Sequence, residues 1–441
     1  MRKIFAGRRS VSVPFTFEIN AGNTGGSMSP ANQFYLPIGS GGSSYGPVEF
    51  TIDWGDGTTT FLDAGNYATA RIHTYASGAN YTITCTGAVR DWCFVRMGGS
   101  FNDAEKMVNV TKWGDLKMDG DQMFKGCSLM QAAGDDDIPT FEDPQAGAML
   151  FEGCTALKTV GNIAKWQTGI LENFMFMFNG CNNLVQGTLA GGPLDLSSWN
   201  VSNVTNMTAM FQSSYQGSWS PGPPTPGIAD PIMFVLTSQT GLISSMFNGQ
   251  LSFTNGGSNT IELWDTSNVT KMGGLFQDCL VFNRDISLWD TSNVTDFSSM
   301  LASVGPGSGI GNPMIFNQNI GLWDVSSGTN FSNMLTYCNN FDQNLSGWDV
   351  SNISSSGGGA FFSFVGNNPA PNNFQLSTAN YNALLIAWDA YTFPAWSGGN
   401  PTPAFNFQNS TFSLVSPGNA VQLAHDSLTI KLTTLDDGGG I

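Results

Sequence analysis

Three polar residues near the N-terminus have the types and spacing to do chemistry. Asp53 and Asp56 lie in D-W-G-D-G-T, and His73 begins the H-T-Y that follows. A carboxylate beside an imidazole can transfer a proton or hold a metal ion. Because an Asp-rich turn offers oxygen ligands, calcium is the ion that would suit it best. A structural calcium is therefore the one cofactor that the sequence leaves open.

Regularly spaced cysteines are the second candidate. Cys127, Cys154 and Cys181 are 27 residues apart, and equal spacing in a long chain indicates one position of a repeat rather than bridging partners. No C-x-x-C occurs, so a zinc site or a thioredoxin-like site has no support. We expect buried thiols that pack as small apolar groups. Only Cys85 and Cys93 remain open as a bonded pair.

Composition and charge narrow the classes of function. The 441 residues carry a formal net charge of −17, which repels nucleic-acid phosphates and acidic membranes. No apolar run is long enough for a transmembrane helix. His73 and His425 are the only imidazole bases, and no hydrolase, P-loop or dinucleotide motif is present. We therefore predict no enzymatic activity, with a carbohydrate-active enzyme that uses two carboxylates as the third choice.

A repeat organises the middle of the chain. Its clearest copies begin at tryptophans and read W-D-T-S-N-V-T-x-M or close variants: Trp199, Trp264, Trp289, Trp323 and Trp348. With the tryptophan as offset zero, apolar residues recur at offsets +5, +8, +11 and +12 and several cysteines lie at +15. Less regular copies have the same frame from Lys112, Pro139, Trp166 and Val235.

Each copy is predicted to contain a helix and a strand. Spacings of three and four put the apolar offsets on one side of a short helical turn, and threonines at +6 are suited to capping it: Thr205, Thr270 and Thr295. The segment before each tryptophan, such as 282–289, is a strand candidate. Aspartates at +1 share one register, which predicts a structural role beside a turn: Asp265, Asp290, Asp324 and Asp349.

The repeat resembles the BspA-type leucine-rich-repeat-like surface proteins. The pattern W-D-[TV]-S-N-V-T-x-M-x-x-[ML]-F with F-[ND]-[QR]-x-[IL] carries the resemblance, over roughly residues 110–365. It implies a right-handed solenoid and a surface role in adhesion or partner binding, and it implies no catalytic residues.

The N-terminal region is predicted to be β-structure. Apolar residues alternate in 11–19, 48–54 and 81–85, and Gly55-Asp56-Gly57 forms a hairpin turn. The first alternation predicts a strand rather than a signal peptide, so we expect no cleaved leader. W-G-D-G-T, H-T-Y and G-x-x-Y-T-I together resemble PKD-type immunoglobulin-like β-sandwich domains. That resemblance implies that Asp53, Asp56 and His73 make turn and inter-strand hydrogen bonds.

The C-terminal region is predicted to close the repeat. Residues 374–391 form an amphipathic helix with Ser377 or Thr378 as its N-cap, and the tail from 405 to 441 alternates like a strand. The predicted fold is a mixed α/β repeat solenoid, leucine-rich-repeat-like, preceded by an immunoglobulin-like β-sandwich and closed by a C-terminal cap. Its domains are residues 1–97, 98–370 and 371–441.

The predicted function is surface recognition on a virion or another extracellular surface. The first choice is a phage tail fibre, spike or decoration protein, and the alternative is a bacterial adhesin. Long insertions follow offset +15, and the one at 214–231 offers Tyr215 and Trp219 for a host glycan or protein. A basic arm would dock on other virion subunits through four residues: Arg2, Lys3, Arg8 and Arg9. Homo-oligomerisation stays open.

Overall fold

A computed structural model of the chain describes thirteen segments. They are residues 12–39, 49–95, 102–134, 137–184, 194–212, 240–249, 261–303, 313–353, 362–363, 376–391, 404–406, 420–431 and 434–436. The chain divides into two compact units, Met1–Ile170 and Leu171–Ile441.

The first unit is built on one mixed seven-stranded sheet. Its strands, in the order in which they pair, are β11 (Thr159–Val160), β9 (Ala132–Ala133), β7 (Met107–Lys112), β1 (Phe15–Asn20), β6 (Asn80–Ala88), β3 (Glu49–Asp53) and β4 (Thr59–Leu62). The central strand β1 is antiparallel to both β6 and β7, whereas β9 pairs in parallel with β7 and β11.

The remaining elements of this unit are short. They are β2 (Gln33–Tyr35) paired with β5 (Ile72–Thr74), β8 (Lys117–Met118) paired with β10 (Thr140–Phe141), helix α1 (Tyr67–Ala70), and the 3-10 helices Ala104–Lys106 and Ile163–Lys165.

The strands predicted near the N-terminus are confirmed. Phe15, Phe17 and Ile19 of β1 are fully buried and alternate with half-exposed polar residues, as a strand with one face on the core requires. β3 and β4 form the hairpin predicted around Gly55, and both Gly55 and Gly57 have positive φ, which a side chain would strain.

The predicted immunoglobulin-like sandwich is wrong. The N-terminal strands do not close into a domain of their own, because β1 pairs with β7 and the sheet continues through β9 to β11. One edge of β1 pairs with residues 107–112, which lie outside the predicted domain of residues 1–97. These long-range pairings are not encoded in the local alternation of apolar residues.

In the second unit, neighbouring copies of the repeat are joined by a regular hydrogen-bond ladder. Offset +7 of six copies forms five successive parallel bridges through Asn173, Asn206, Leu242, Lys271, Asp296 and Asn330. Alternate amides of one copy donate to carbonyls of the next, as in the pairs Phe297–Asn330, Ser299–Ser332, Leu301–Met334 and Ser303–Thr336, at 2.8–2.9 Å.

The predicted helical turns in the copies are wrong. Offset +10 has a positive φ of 52–65° in every copy from 112 to 323: Gln122, Met149, Phe176, Ala209, Ser245, Gly274, Ser299 and Asn333. A left-handed residue ends a right-handed helix, so the segment forms successive turns closed by i→i+3 bonds such as Met300 N to Phe297 O. The amides that a helix would use internally bond the next copy instead.

The predicted threonine N-caps and the predicted strand before each tryptophan are also wrong. Thr270 and Thr295 are not N-caps: the Thr295 hydroxyl and amide both donate to the Thr270 carbonyl of the preceding copy, at 3.1 and 2.9 Å. Thr205 makes the equivalent bonds to Glu172. The segment 282–289 is not a strand, because it is irregular chain with a turn at 287–288.

The C-terminal part contains the two longer helices of the described residues. These are α2 (Thr378–Trp388) and α3 (Ala420–Lys431). Three short strands alternate with these helices along the chain and form a parallel sheet: β12 (Phe362–Ser363), β13 (Ala404–Asn406) and β14 (Thr434–Asp436). A further 3-10 helix, Ile261–Leu263, lies within the repeat.

The predicted helix at 374–391 is confirmed as α2. Ser377 is its N-cap and accepts from the Asn380 amide. The Ser377 amide and the Asn380 side chain both donate to Asp342 Oδ1, at 2.8 Å each, which ties the start of α2 to the last copies of the repeat. The tail is not uniformly strand-like as predicted, because α3 places Ala424 and Leu428 one turn apart on a buried face.

The fold class predicted from sequence is therefore wrong as a whole. The described residues are mostly sheet and turn with few helices, and the largest sheet among them is the mixed seven-stranded one. The mixed α/β leucine-rich-repeat-like solenoid required a helix in each copy, and the left-handed residue at offset +10 prevents one.

Candidate functional site

Three exposed leucines occupy one register of the repeat. Leu263, Leu288 and Leu322 are 66%, 88% and 84% exposed, and each directly precedes a buried tryptophan. Because they share one offset, these exposed side chains lie on one face of three consecutive copies. We call these three residues the leucine row.

The buried tryptophans hold the leucine row outward. Trp289 donates from Nε1 to the Ile261 carbonyl at 2.9 Å, and Trp323 donates to the Ile286 carbonyl at 3.0 Å. Trp264 and Trp289 stack with their ring centroids 5.8 Å apart and an interplanar angle of 4°. With each indole fixed in the core, the leucine before it and the aspartate after it are both exposed.

A row of aspartates runs beside the leucine row. Asp265, Asp290 and Asp324 lie at offset +1 and are exposed. The Oδ1 atom of each accepts a bond from the amide and the hydroxyl of the serine two residues later, at 2.6 Å from the hydroxyl in all three. The bonds from Ser326 lower the pKa of Asp324. We call these three residues the aspartate row.

The segment that bears both rows is strongly acidic. Residues 261–353 contain nine Asp and Glu but only Lys271 and Arg284 as basic residues. Arg284 is paired with Glu262, since its Nη2 lies 2.7 Å from Glu262 Oε1. Asp278 is buried, so the exposed leucines lie in a segment whose excess of negative charge comes from its other acidic residues.

The Asp56 and His73 pair is built into the first unit. His73 Nε2 lies 2.8 Å from Asp56 Oδ2, and the imidazole stacks on Trp54 with centroids 4.7 Å apart. Burial acts to raise the pKa of Asp56, but bonds from Thr58 and His73 outweigh it and hold the pKa at about 2. Asp53 Oδ1 accepts from the Gly55 amide at 3.0 Å. The structure thus engages all three residues in turn and inter-strand bonds.

All seven cysteines are buried and unbridged, including Cys85 and Cys93. The Cys154 and Cys279 thiols donate to the carbonyls of Phe124 and Phe247, each at 3.1 Å. Burial raises the pKa of Cys127 well above its usual range. These thiols lie in the core, where they are poorly suited to nucleophilic or redox work.

One family model matches the chain. The family described as "Mycoplasma protein of unknown function, DUF285" matches residues 118–218, 229–305 and 310–362, more than half of the sequence. The chain belongs to this family. It is associated with BspA-like repeat proteins, whereas the PKD-type and leucine-rich-repeat resemblances receive no support. No curated protein and no solved structure matches the chain.

The described segments contain neither a cluster of metal ligands nor a helix that could span a membrane. No group of three or more His, Cys, Asp or Glu within those segments is placed to hold a metal ion. No helix in the same segments is long and apolar enough to cross a membrane.

The partner-binding residues predicted from sequence are not among those the structure describes. Tyr215 and Trp219, with the basic arm of Arg2, Lys3, Arg8 and Arg9, lie outside the described residues. The leucine row was missed, although the sequence carries a signal for it. Leu-Trp-Asp recurs at Leu263, Leu288 and Leu322, where other copies have Ser198 or Gly347 before the tryptophan.

Proposed function

We propose that this chain is a non-enzymatic recognition protein that binds a partner through the leucine row. The carrying observation is the exposure of Leu288 and Leu322, 88% and 84%, at one offset of adjacent copies. Apolar side chains that are grouped on one face and rimmed by polar groups are typical of binding surfaces. Scattered exposed leucines would not support this proposal, but a repeated register does.

The geometry of the polar groups supports binding over catalysis. A glycoside hydrolase needs two carboxylates free to protonate and to attack. The aspartate row instead uses Oδ1 of Asp265, Asp290 and Asp324 to stabilise local turns. His73 is held between Asp56 and Trp54. We therefore rank the carbohydrate-active enzyme below recognition.

The setting we propose is an outer surface, that of a phage particle or, as the alternative, of a bacterial cell. The resemblance to BspA-type surface repeats is the support for such a setting. Mass spectrometry of purified virions and of a surface fraction of the producing cell separates the two. Detection in neither fraction would contradict the proposed location.

The binding role is tested with purified full-length protein. We expect Leu288→Ser with Leu322→Ser to leave thermal unfolding unchanged, because the side chains are exposed, and to reduce attachment to the particle or cell. Leu423→Ser is the matched control, since Leu423 is 59% exposed on α3. Full attachment by the double variant would move recognition away from the leucine row. The next candidate is then Tyr215 with Trp219, tested by alanine substitution of both.

A further inference from the structure

We infer that the partner of the leucine row is a cationic amphipathic helix of another protein. Its apolar side chains would pack on Leu263, Leu288 and Leu322, and its Lys or Arg residues would pair with the aspartate row. This inference rests on the proposed function for the existence of a partner, and it adds the chemistry of that partner.

Charge selects the class of partner. The leucine row lies in a segment with nine acidic and two basic residues, and one of those two, Arg284, is paired with Glu262. A second copy of the chain would bring like charges together, and an anionic membrane or a nucleic acid would be repelled. An apolar surface flanked by Lys and Arg complements both rows at once.

Spacing selects a helix. The indoles of Trp264 and Trp289 lie 5.8 Å apart, and the leucines immediately before them follow the same repeat. Trp323 donates to the Ile286 carbonyl as Trp289 does to the Ile261 carbonyl, so the third copy follows the same arrangement of indoles. A helix rises about 5.4 Å per turn and presents side chains about 5–6 Å apart at i, i+3 and i+4. One leucine of the row therefore meets each turn of such a helix.

The aspartate row lies where the flank of the helix would fall. Leucine and aspartate are two residues apart on either side of a buried tryptophan, so their Cα atoms are separated by no more than about 7 Å. A helix about 10 Å wide that is centred on the leucines would reach both rows. The serine bonds hold the carboxylates before binding, at 2.6 Å in Asp290 and Asp324, which lowers the entropy lost on pairing.

The test uses full-length protein and two synthetic peptides. The first peptide, about 15 residues of leucine, alanine and lysine, places its leucines on one helical face. The second has glutamate in place of every lysine. Fluorescence anisotropy at about 0.15 M salt measures binding, since lower salt would exaggerate charge effects. Sedimentation and co-pelleting with vesicles containing phosphatidylglycerol are run on the same samples.

Three variants separate the apolar and the charged contributions. Leu288→Ser with Leu322→Ser removes two members of the leucine row, and Leu423→Ser is its control. Asp265→Asn, Asp290→Asn and Asp324→Asn together remove charge while keeping the turns. Asn200 shows that asparagine fits this register, because its Oδ1 accepts from the Ser202 amide at 3.0 Å.

We expect the wild-type protein to bind the lysine peptide and not the glutamate peptide. The leucine double variant and the aspartate triple variant should each bind about tenfold more weakly or worse, and the Leu423→Ser control should stay within about twofold. Equal binding by the leucine double variant would overturn the inference. So would equal binding of the two peptides, self-association that depends on the leucines, or vesicle binding that depends on them.

The outcome is distinguishable from failure of the proposed function. If the leucine double variant loses attachment to particle or cell while the wild-type protein ignores the lysine peptide, the helix is excluded and recognition by the row stands. If attachment is unchanged, the proposed function fails whatever the peptide shows.

Discussion

Ser299 offers a direct test of the left-handed turn that replaces the predicted helix. It lies at offset +10 with φ 52°, is half-buried, and bonds through its amide to the Ser332 carbonyl at 2.8 Å. We compare Ser299→Gly, Ser299→Ala and Ser299→Val. The alanine variant removes only the hydroxyl and is the reference. Relative to alanine, glycine tests the removal of the Cβ and valine tests branching at the Cβ.

The expected order of stability is opposite for the turn and for a helix. A left-handed conformation costs a residue with a Cβ about 1–2 kcal/mol, which glycine avoids. Glycine loses about 0.5–1 kcal/mol of that advantage through its greater freedom when unfolded. The turn therefore favours Ser299→Gly over Ser299→Ala by about 0–1.5 kcal/mol, with a midpoint of about 0.75 kcal/mol. A helix would disfavour glycine by about 0.8–1.0 kcal/mol relative to alanine.

Thermal unfolding followed by circular dichroism measures the difference. A change of 1 kcal/mol moves the melting temperature by about 2–4 °C in a unit of this size. We expect the order Gly above Ala above Val, since a β-branched residue tolerates positive φ least. Ala383→Gly in the middle of α2 is the control and should destabilise the protein by about 1 kcal/mol. The order Ala above Val above Gly at Ser299 would refute the turn.

Three further outcomes are expected. The native protein should resist a thiol reagent, whereas the denatured protein should titrate seven thiols without reductant, because all seven are buried and unbridged; two fewer would reveal a disulfide. Gly321→Ala should cost about 1–3 kcal/mol in chemical denaturation, since a Cβ there would overlap the Asn344 carbonyl, and Ser287→Ala at the same offset should cost clearly less. Burial raises the pKa of Asp119 to about 6, so the stability that this carboxyl contributes is present at low pH and is lost as the pH rises through about 6. Urea midpoints at pH 4.5 and 7.5 should therefore converge in Asp119→Asn, and an unchanged gap would contradict that assignment.

Local patterns were sufficient wherever a single element buries its own face. The alternation of Phe15, Phe17 and Ile19 predicted β1 because a strand puts every second side chain on one face. The spacing of Tyr381, Leu384, Leu385 and Trp388 predicted α2, and Ser377 supplied its N-cap. The cysteine register predicted buried thiols from equal spacing alone.

Binding of one copy to the next was beyond the reach of those patterns. Apolar residues at +5, +8, +11 and +12 are spaced alike in a helix and in successive i→i+3 turns, so sequence could not separate the two. What decided between them was the neighbouring copy, whose carbonyls, such as those of Ser332 and Met334, accept the amides that a helix would bond internally. Positive φ at Ser299 follows from that pairing.

The candidate site divides in the same way. The sequence by itself determined the repeat, the register of its tryptophans and the acidity of the segment around them, because composition and register are written along the chain. Only the tertiary structure decided that Leu288 faces outward while Trp289 faces inward, since the indole finds its acceptor, the Ile261 carbonyl, in the preceding copy. A leucine beside a tryptophan is expected in the core from sequence alone, and the long-range hydrogen bond that the buried indole donates accompanies the exposure of the leucine.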